Sequence, residues 1–175
     1  MNLQGDKKVC EIETKDFDAN GVSVSPSGEV AVGGSDKKVH LYTLEDGNTL
    51  SAKKTLEVPE PVLCVAYSPD GKYLAAGDAK RQVHGWKDGE MVFERWKYHD
   101  SKITCLAWSP DSLHLASGSL DTHVFIWSVE KPMSKVKITN AHPSGMITSV
   151  QWAGPTTLYT AGYDSCVRAW EIKHV

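Results

Sequence analysis

Two sets of side chains in this chain have the composition of a hydrolytic triad with an indole added. His99, Ser117, Asp121 and Trp127 make the first set, and His142, Thr160, Asp164 and Trp170 the second. In both, His precedes Asp by 22 positions, the hydroxyl precedes Trp by 10 and Asp precedes Trp by 6. A carboxylate that orients an imidazole, which in turn takes a proton from a hydroxyl, is the machinery of nucleophilic acyl transfer. The same groups also make a buried chain: the carboxylate accepts from an imidazole N–H, the imidazole meets the hydroxyl, and the hydroxyl meets the indole N–H. Such a chain is stable when every member is satisfied. A nucleophile is needed once, whereas an architectural device is needed in every structural unit. The duplication therefore favours a structural network, and no catalytic residue is assigned.

The elements that position these groups are repeats. An apolar strand, a Ser-Pro-type turn, a second strand, a Gly/Ser-rich turn and a third strand ending in an aromatic recur four times, from Val22, Cys64, Cys105 and Ser149. The closing aromatics, Tyr42, Trp86, Trp127 and Trp170, stand 44, 41 and 43 positions apart. That period belongs to WD-repeat propeller blades. Ser25-Pro26, Ser68-Pro69 and Ser109-Pro110 mark the first turn, where the fixed φ of proline suits the second position of a type I turn; Ala153-Gly154-Pro155 is a weaker copy. The runs Val62–Tyr67, Ile103–Trp108, Val124–Val129 and Ile147–Trp152 are short, β-branched or aromatic and evenly spaced, and no helical stretch of useful length intervenes. The fold class is all-β, a WD-repeat β-propeller with four blades present.

Residues 1–20 are expected to hold an outer strand, Val9–Thr14, and a linker; residues 21–175 divide into four units, about 21–57, 58–97, 98–139 and 140–175. The last unit ends without an outer fourth strand. Four units are fewer than the seven blades usual for this ring. Either the chain is the carboxy-terminal part of a larger seven-bladed propeller, which is favoured, or the four units close a small ring with Val9–Thr14 completing the last blade.

In an antiparallel blade, the loop leading into the first strand and the turn between the second and third strands lie at one edge, so a His in the first reaches an Asp in the second. The first two units depart from this pattern. Lys80 stands six before Trp86, and Thr14 and Val58 occupy the positions of the expected His. Those blades are expected to be held mainly by packing and to be the softer pair.

The 175 residues carry a net charge of −3. The denser basic runs, Lys53-Lys54, Lys80-Arg81 and the spaced Lys131, Lys135 and Lys137, read as solvated loop and edge lysines, and nucleic acid is not the favoured partner. Cys10, Cys64, Cys105 and Cys166 show no CxxC pairing and read as reduced strand or core residues. The seven histidines lack metal-ligand spacing, so no metal and no cofactor is expected. No apolar run approaches a membrane span, and the start Met1–Lys8 has no signal-peptide core, so the chain is expected to be soluble and intracellular.

Several stretches resemble the carboxy-terminal blades of the actin-interacting protein 1 family, WD-repeat proteins that work with cofilin. These are Val32–Leu44, Pro61–Val83, Lys102–His142 and Asp164–Ile172, in order and spacing. The Asp78-Ala79-Lys80 turn and the connection from Ser128 to His142 are the less generic parts. The resemblance implies a parent of two seven-bladed propellers, partners in actin filaments and cofilin, no enzymatic activity, and a cytoplasmic, cytoskeletal location. Blades missing from this chain become partners in the same sense.

No binding residue is carried over from the family. From the residues alone, the face where the Asp turn and the first-strand loop emerge should present Pro61, Leu63, Lys102, Thr104, Leu120, Met146, Thr148 and Tyr163. Leu120, Met146 and Tyr163 are the better anchors, because large apolar groups at a loop edge can seat a partner. Trp96 and Tyr98, flanking Lys97, offer a second patch, with packing along an outer strand as the alternative for Trp96. Three function classes stand: a cytoskeletal binding module, a generic WD-repeat scaffold or adaptor, and an enzyme, for which no constellation exists outside the repeated network.

Overall fold

A computed structural model describes residues 10–45 and 49–173. Among these, fifteen strands form four antiparallel sheets, each wound in sequence order. The first holds β1 (Ala19–Val24), β2 (Glu29–Gly34), β3 (Lys38–Glu45) and β4 (Thr49–Glu57). The second holds β5 (Val62–Tyr67), β6 (Tyr73–Asp78), β7 (Val83–Lys87) and β8 (Glu90–Trp96). In the third are β9 (Ile103–Trp108), β10 (His114–Ser119), β11 (Val124–Ser128) and β12 (Lys135–Ile138). The fourth has three strands, β13 (Ile147–Trp152), β14 (Thr157–Gly162) and β15 (Val167–Glu171). The sheets are propeller blades, and the Ser-Pro turns close as expected, with Gly28, Gly71 and Ser112 each donating a backbone N–H to the serine three residues earlier at 2.9 Å.

One expected strand does not form. Residues 10–14 are irregular, Val9 lies outside the described residues, and the first sheet starts at Ala19. A segment with no neighbour to pair with gains no ladder hydrogen bonds, whatever its β-propensity.

Consecutive blades pack face to face. Val39, Leu41 and Leu56 of the first meet Val62, Leu74 and Trp86 of the second. Phe93 and Trp96 of the second meet Ile103, Leu115 and Trp127 of the third. Val124 and Ile126 of the third meet Ile147, Val150 and Leu158 of the fourth. A glycine on the second strand of the first three blades sets the spacing: a Cβ added to Gly33 would lie 2.5 Å from Val62 Cγ1, one on Gly77 2.5 Å from Ile103 Cγ2, and one on Gly118 2.6 Å from Ile147 Cγ2. Ala161 takes the matching register position in the fourth blade, opposite Val167. The aromatic that ends the first strand of the second, third and fourth blades also reaches back. Tyr67 donates to Glu29 at 2.5 Å, Trp108 to the Ala66 carbonyl at 2.9 Å and Trp152 to the Ala107 carbonyl at 3.1 Å.

Candidate functional site

In the third blade the four triad-like residues form one directed chain. Trp127 Nε1 donates to Ser117 Oγ at 2.8 Å, Ser117 Oγ lies 2.8 Å from His99 Nε2, and His99 Nδ1 lies 2.8 Å from Asp121 Oδ2. A carboxylate only accepts, so Nδ1 carries the imidazole proton and Nε2 accepts from the hydroxyl. Asp121 also takes the backbone N–H of Asp100 at 2.8 Å and of His123 at 2.9 Å. Burial opposes its ionisation, but the His99 bond and these N–H groups win and bring its pKa down to about 2.

The fourth blade repeats the chain. Trp170 Nε1 donates to Thr160 Oγ1 at 2.9 Å, Thr160 Oγ1 lies 2.8 Å from His142 Nε2, and His142 Nδ1 lies 2.7 Å from Asp164 Oδ1. Arg168 adds a cation, donating to Asp164 Oδ2 at 2.7 Å. Its Nη1 is also 2.7 Å from His142 Nδ1, but the proton on that nitrogen is committed to Asp164, so the carboxylate is the acceptor. The His142 bond, then Arg168, hold Asp164 at a pKa of about 2.

In the first two blades, where Lys80, Thr14 and Val58 led to the expectation of packing as the main support, a polar pair is present beside the packing. Both carry a His–Asp pair, built with the imidazole on the third strand two positions before the closing aromatic. His84 Nε2 donates to Asp78 Oδ2 at 3.0 Å in the second blade, and His40 Nε2 to Asp36 Oδ2 at 3.0 Å in the first, where Phe17 stacks on His40 with ring centroids 4.0 Å apart. In the second blade the carboxylate has moved two residues earlier, from position 80 to the end of β6. The same third-strand position holds Arg168 in the fourth blade and Phe125 in the third, where the ring meets His99 edge-on at 4.7 Å.

The triad geometry is therefore present twice without an open nucleophile. Ser117 is fully buried and Thr160 1% exposed, and each hydroxyl oxygen already accepts an indole N–H. Among the described residues no group of three or more His, Cys, Asp or Glu is placed to hold a metal, and no helix is long and apolar enough to cross a membrane.

The loops come together as the strand order requires. Ala79 donates its backbone N–H to the Pro61 carbonyl, Leu120 to that of Lys102 and Tyr163 to that of Met146. Thr104 Oγ1 reaches the Ile147 carbonyl of the next blade at 2.5 Å, and Thr148 Oγ1 the Ala161 carbonyl at 3.1 Å. Tyr163 is 72% exposed and Leu120 43%; Lys102 and Thr148 are exposed, and Pro61, Leu63, Thr104 and Met146 half-buried. The second patch is corrected in part. Trp96 is buried, stacked between Phe93 at 4.3 Å and Trp127 at 5.0 Å, with its N–H on the Pro132 carbonyl, while Tyr98 remains exposed.

Blades stacked in series, each with a carboxylate bound by an imidazole, define a propeller segment that presents loops from a rigid frame. The chain belongs to the WD domain, G-beta repeat family, which matches residues 50–87, 91–128 and 133–171. Each matched unit begins on or just before the outer strand of one sheet and ends on the third strand of the next, so sequence repeats and blades interlock. The chain is 39% identical to the "66 kDa stress protein" of Physarum polycephalum over 98% of its length, and 38% identical to "Actin-interacting protein 1" of Drosophila melanogaster over 99%. With "WD repeat-containing protein 1" of Gallus gallus it shares 38% over 98%. It spans 29% of the length of each of these relatives. Among solved structures, that of U3-55K superposes with a TM-score of 0.81 at 24% identity, over 91% of this chain and 50% of the other, a likeness of fold.

Proposed function

We propose that this chain is a run of non-enzymatic blades from an actin-interacting WD-repeat protein that works with cofilin in actin filament disassembly, in the cytoplasm and at the cytoskeleton. The observation that supports this most directly is the 38% identity, along 99% of the chain, with a protein named for its interaction with actin. The enclosed hydroxyls support the non-enzymatic part, since a nucleophile must meet its substrate. On this reading the blades are a stiff support, and Leu120, Met146 and Tyr163, with Lys102, Thr104, Thr148 and Leu63 around them, are the contact face. Further blades of the parent complete the ring and cover the faces left open here.

The test is co-sedimentation of the full-length parent with actin filaments, with and without cofilin, beside a filament-disassembly assay. Pelleting that rises with cofilin, and faster disassembly, are expected. A parent that stays in the supernatant under both conditions overturns the reading in favour of a generic WD-repeat adaptor.

A further inference from the structure

The outer wall between the second and third blades carries a groove that neither the blade networks nor the loop face uses. Its floor is aromatic and fixed: the Tyr98 ring lies 6.0 Å from Trp127 and 6.4 Å from Phe125, on the stack that runs through Trp96 and Phe93. A cavity of about 440 Å³ opens among Tyr98, Phe125, Met133, Lys135 and Lys137. Met133, 64% exposed, also borders a depression of about 180 Å³ beside Met91 and Val92, so the two adjoin at Met133.

The lysines of this groove are held in an unusual way. Lys135 Nζ stands 3.4 Å from the centroid of the Tyr98 ring, and Lys137 Nζ 5.5 Å from that of Phe125. Among the described residues neither forms an ion pair, unlike Lys53, Lys72 and Lys80, each of which has a carboxylate. An ammonium over a ring face keeps its charge and its remaining N–H donors. Being already positioned, it loses less freedom when an anion arrives.

We infer that this groove docks an acidic amphipathic peptide segment of a partner protein. One apolar side chain rests on Met133, toward Met91 and Val92, and neighbouring carboxylates meet Lys135 and Lys137 beside Tyr98. Nucleic acid would leave the Met91, Val92 and Met133 surface unused and calls for a longer basic track. Glu94 lines the far depression, which confines anion attraction to the Tyr98 end and sets the peptide's direction: carboxylates at the lysines, apolar chain toward Met91. The groove lies wholly within two blades of this chain, so it stands or falls independently of the actin reading.

The probe is a fluorescein-labelled peptide amidated at its carboxy terminus, Glu-Glu-Leu-Phe, with glutamates at one end only, titrated against the full chain by fluorescence anisotropy. Saturable binding is expected, weakened about tenfold or more in the double variant Lys135→Glu, Lys137→Glu and severalfold in Met133→Ser, with an all-Glu peptide binding far more weakly. Lys135→Met, which keeps the packed stem and removes the charge, should show an intermediate loss, and coincident thermal melts establish that the variants are folded. The inference is overturned if the folded double variant binds as the parent does, or if the all-Glu peptide binds as tightly as the probe. It is also overturned if a single-stranded RNA dodecamer binds at the lysines where the peptide does not.

Discussion

His84 donates through Nε2 to Asp78 Oδ2 at 3.0 Å, and the two side chains are 1% and 2% exposed. Asp78 Oδ1 also accepts the backbone N–H groups of Lys80 at 2.8 Å and Gln82 at 2.9 Å, so the carboxylate fixes the turn between β6 and β7 as Asp121 fixes its counterpart. Nε2 carries the proton given to Asp78, and His84 Nδ1 is enclosed with no hydrogen-bond partner among the described residues. Replacing Asp78 by Ala strands an imidazole N–H and two backbone N–H groups, and stability should fall by about 1–3 kcal/mol, as for Asp121→Ala. Urea denaturation of both variants checks this. An Asp78→Ala variant as stable as the parent would return the second blade to packing alone.

Acid should loosen the blades in a defined window. Burial alone would raise Asp121, but the bonds from His99 and the backbone lower it to about 2; Asp164, bound first by His142 and then by Arg168, is also at about 2, and Asp78 is lowered against burial by His84 and two N–H groups. In the unfolded chain these carboxylates titrate near ~3.9. Between the two values the unfolded state binds more protons, so the stability these groups lend is complete above about pH 5 and is lost as pH falls toward about 2. For the buried Asp121 it amounts to on the order of 2 kcal/mol. Thermal melts should drop as pH falls from about 5 toward about 2, with a shallower drop in that range in Asp121→Asn. Equal acid slopes in variant and parent would remove Asp121 from this account.

The third and fourth networks were legible because their spacing is duplicated, and duplication is visible without coordinates. The pairs at His84 and His40 were not, because the imidazole has left the loop for the third strand, where a lone His two before an aromatic looks like any strand residue. The contribution of Arg168 was hidden in the same way. Tyr67, Trp108 and Trp152 do carry a signal, an aromatic just before the first turn in three units, whose meaning as a tie to the preceding blade appears only when the sheets are stacked. Residues 10–14 misled through β-propensity, which cannot supply a pairing partner. The groove at Tyr98 was legible only as scattered aromatics and lysines, since its lining joins a loop, a third strand and an outer strand.

A fluorophosphonate probe should fail to label Ser117 or Thr160 in the folded chain. Labelling needs a new Oγ–P bond with loss of fluoride, and these oxygens are enclosed and bonded to Trp127 and Trp170. Intact-mass measurement of the treated protein checks the expectation. Stoichiometric labelling abolished by His99→Ala or His142→Ala would instead establish a working nucleophile.

The two end faces should make the isolated chain self-associate. Val22 and Val24 on β1 are 66% and 59% exposed and share a face with Val30, Val32 and Tyr42; at the other end Tyr159 and Val167 are 43% and 73% exposed. In the second and third blades the matching faces, carrying Trp86 and Trp127, are covered by the preceding blade. Contiguous apolar area of this kind, framed by unpaired strand edges, favours association over exposure to water. Sedimentation velocity should therefore show mass rising with concentration. Placing lysines on the β1 face through Val22→Lys and Val24→Lys, and on β15 through Val167→Lys, should shift the chain toward monomer. These positions are solvent-exposed, so the variants should melt within a few degrees of the parent. A parent chain that remains a single monomeric species across the concentration range would show that neither face seeks a partner, and would remove the argument that further blades are needed to cover them.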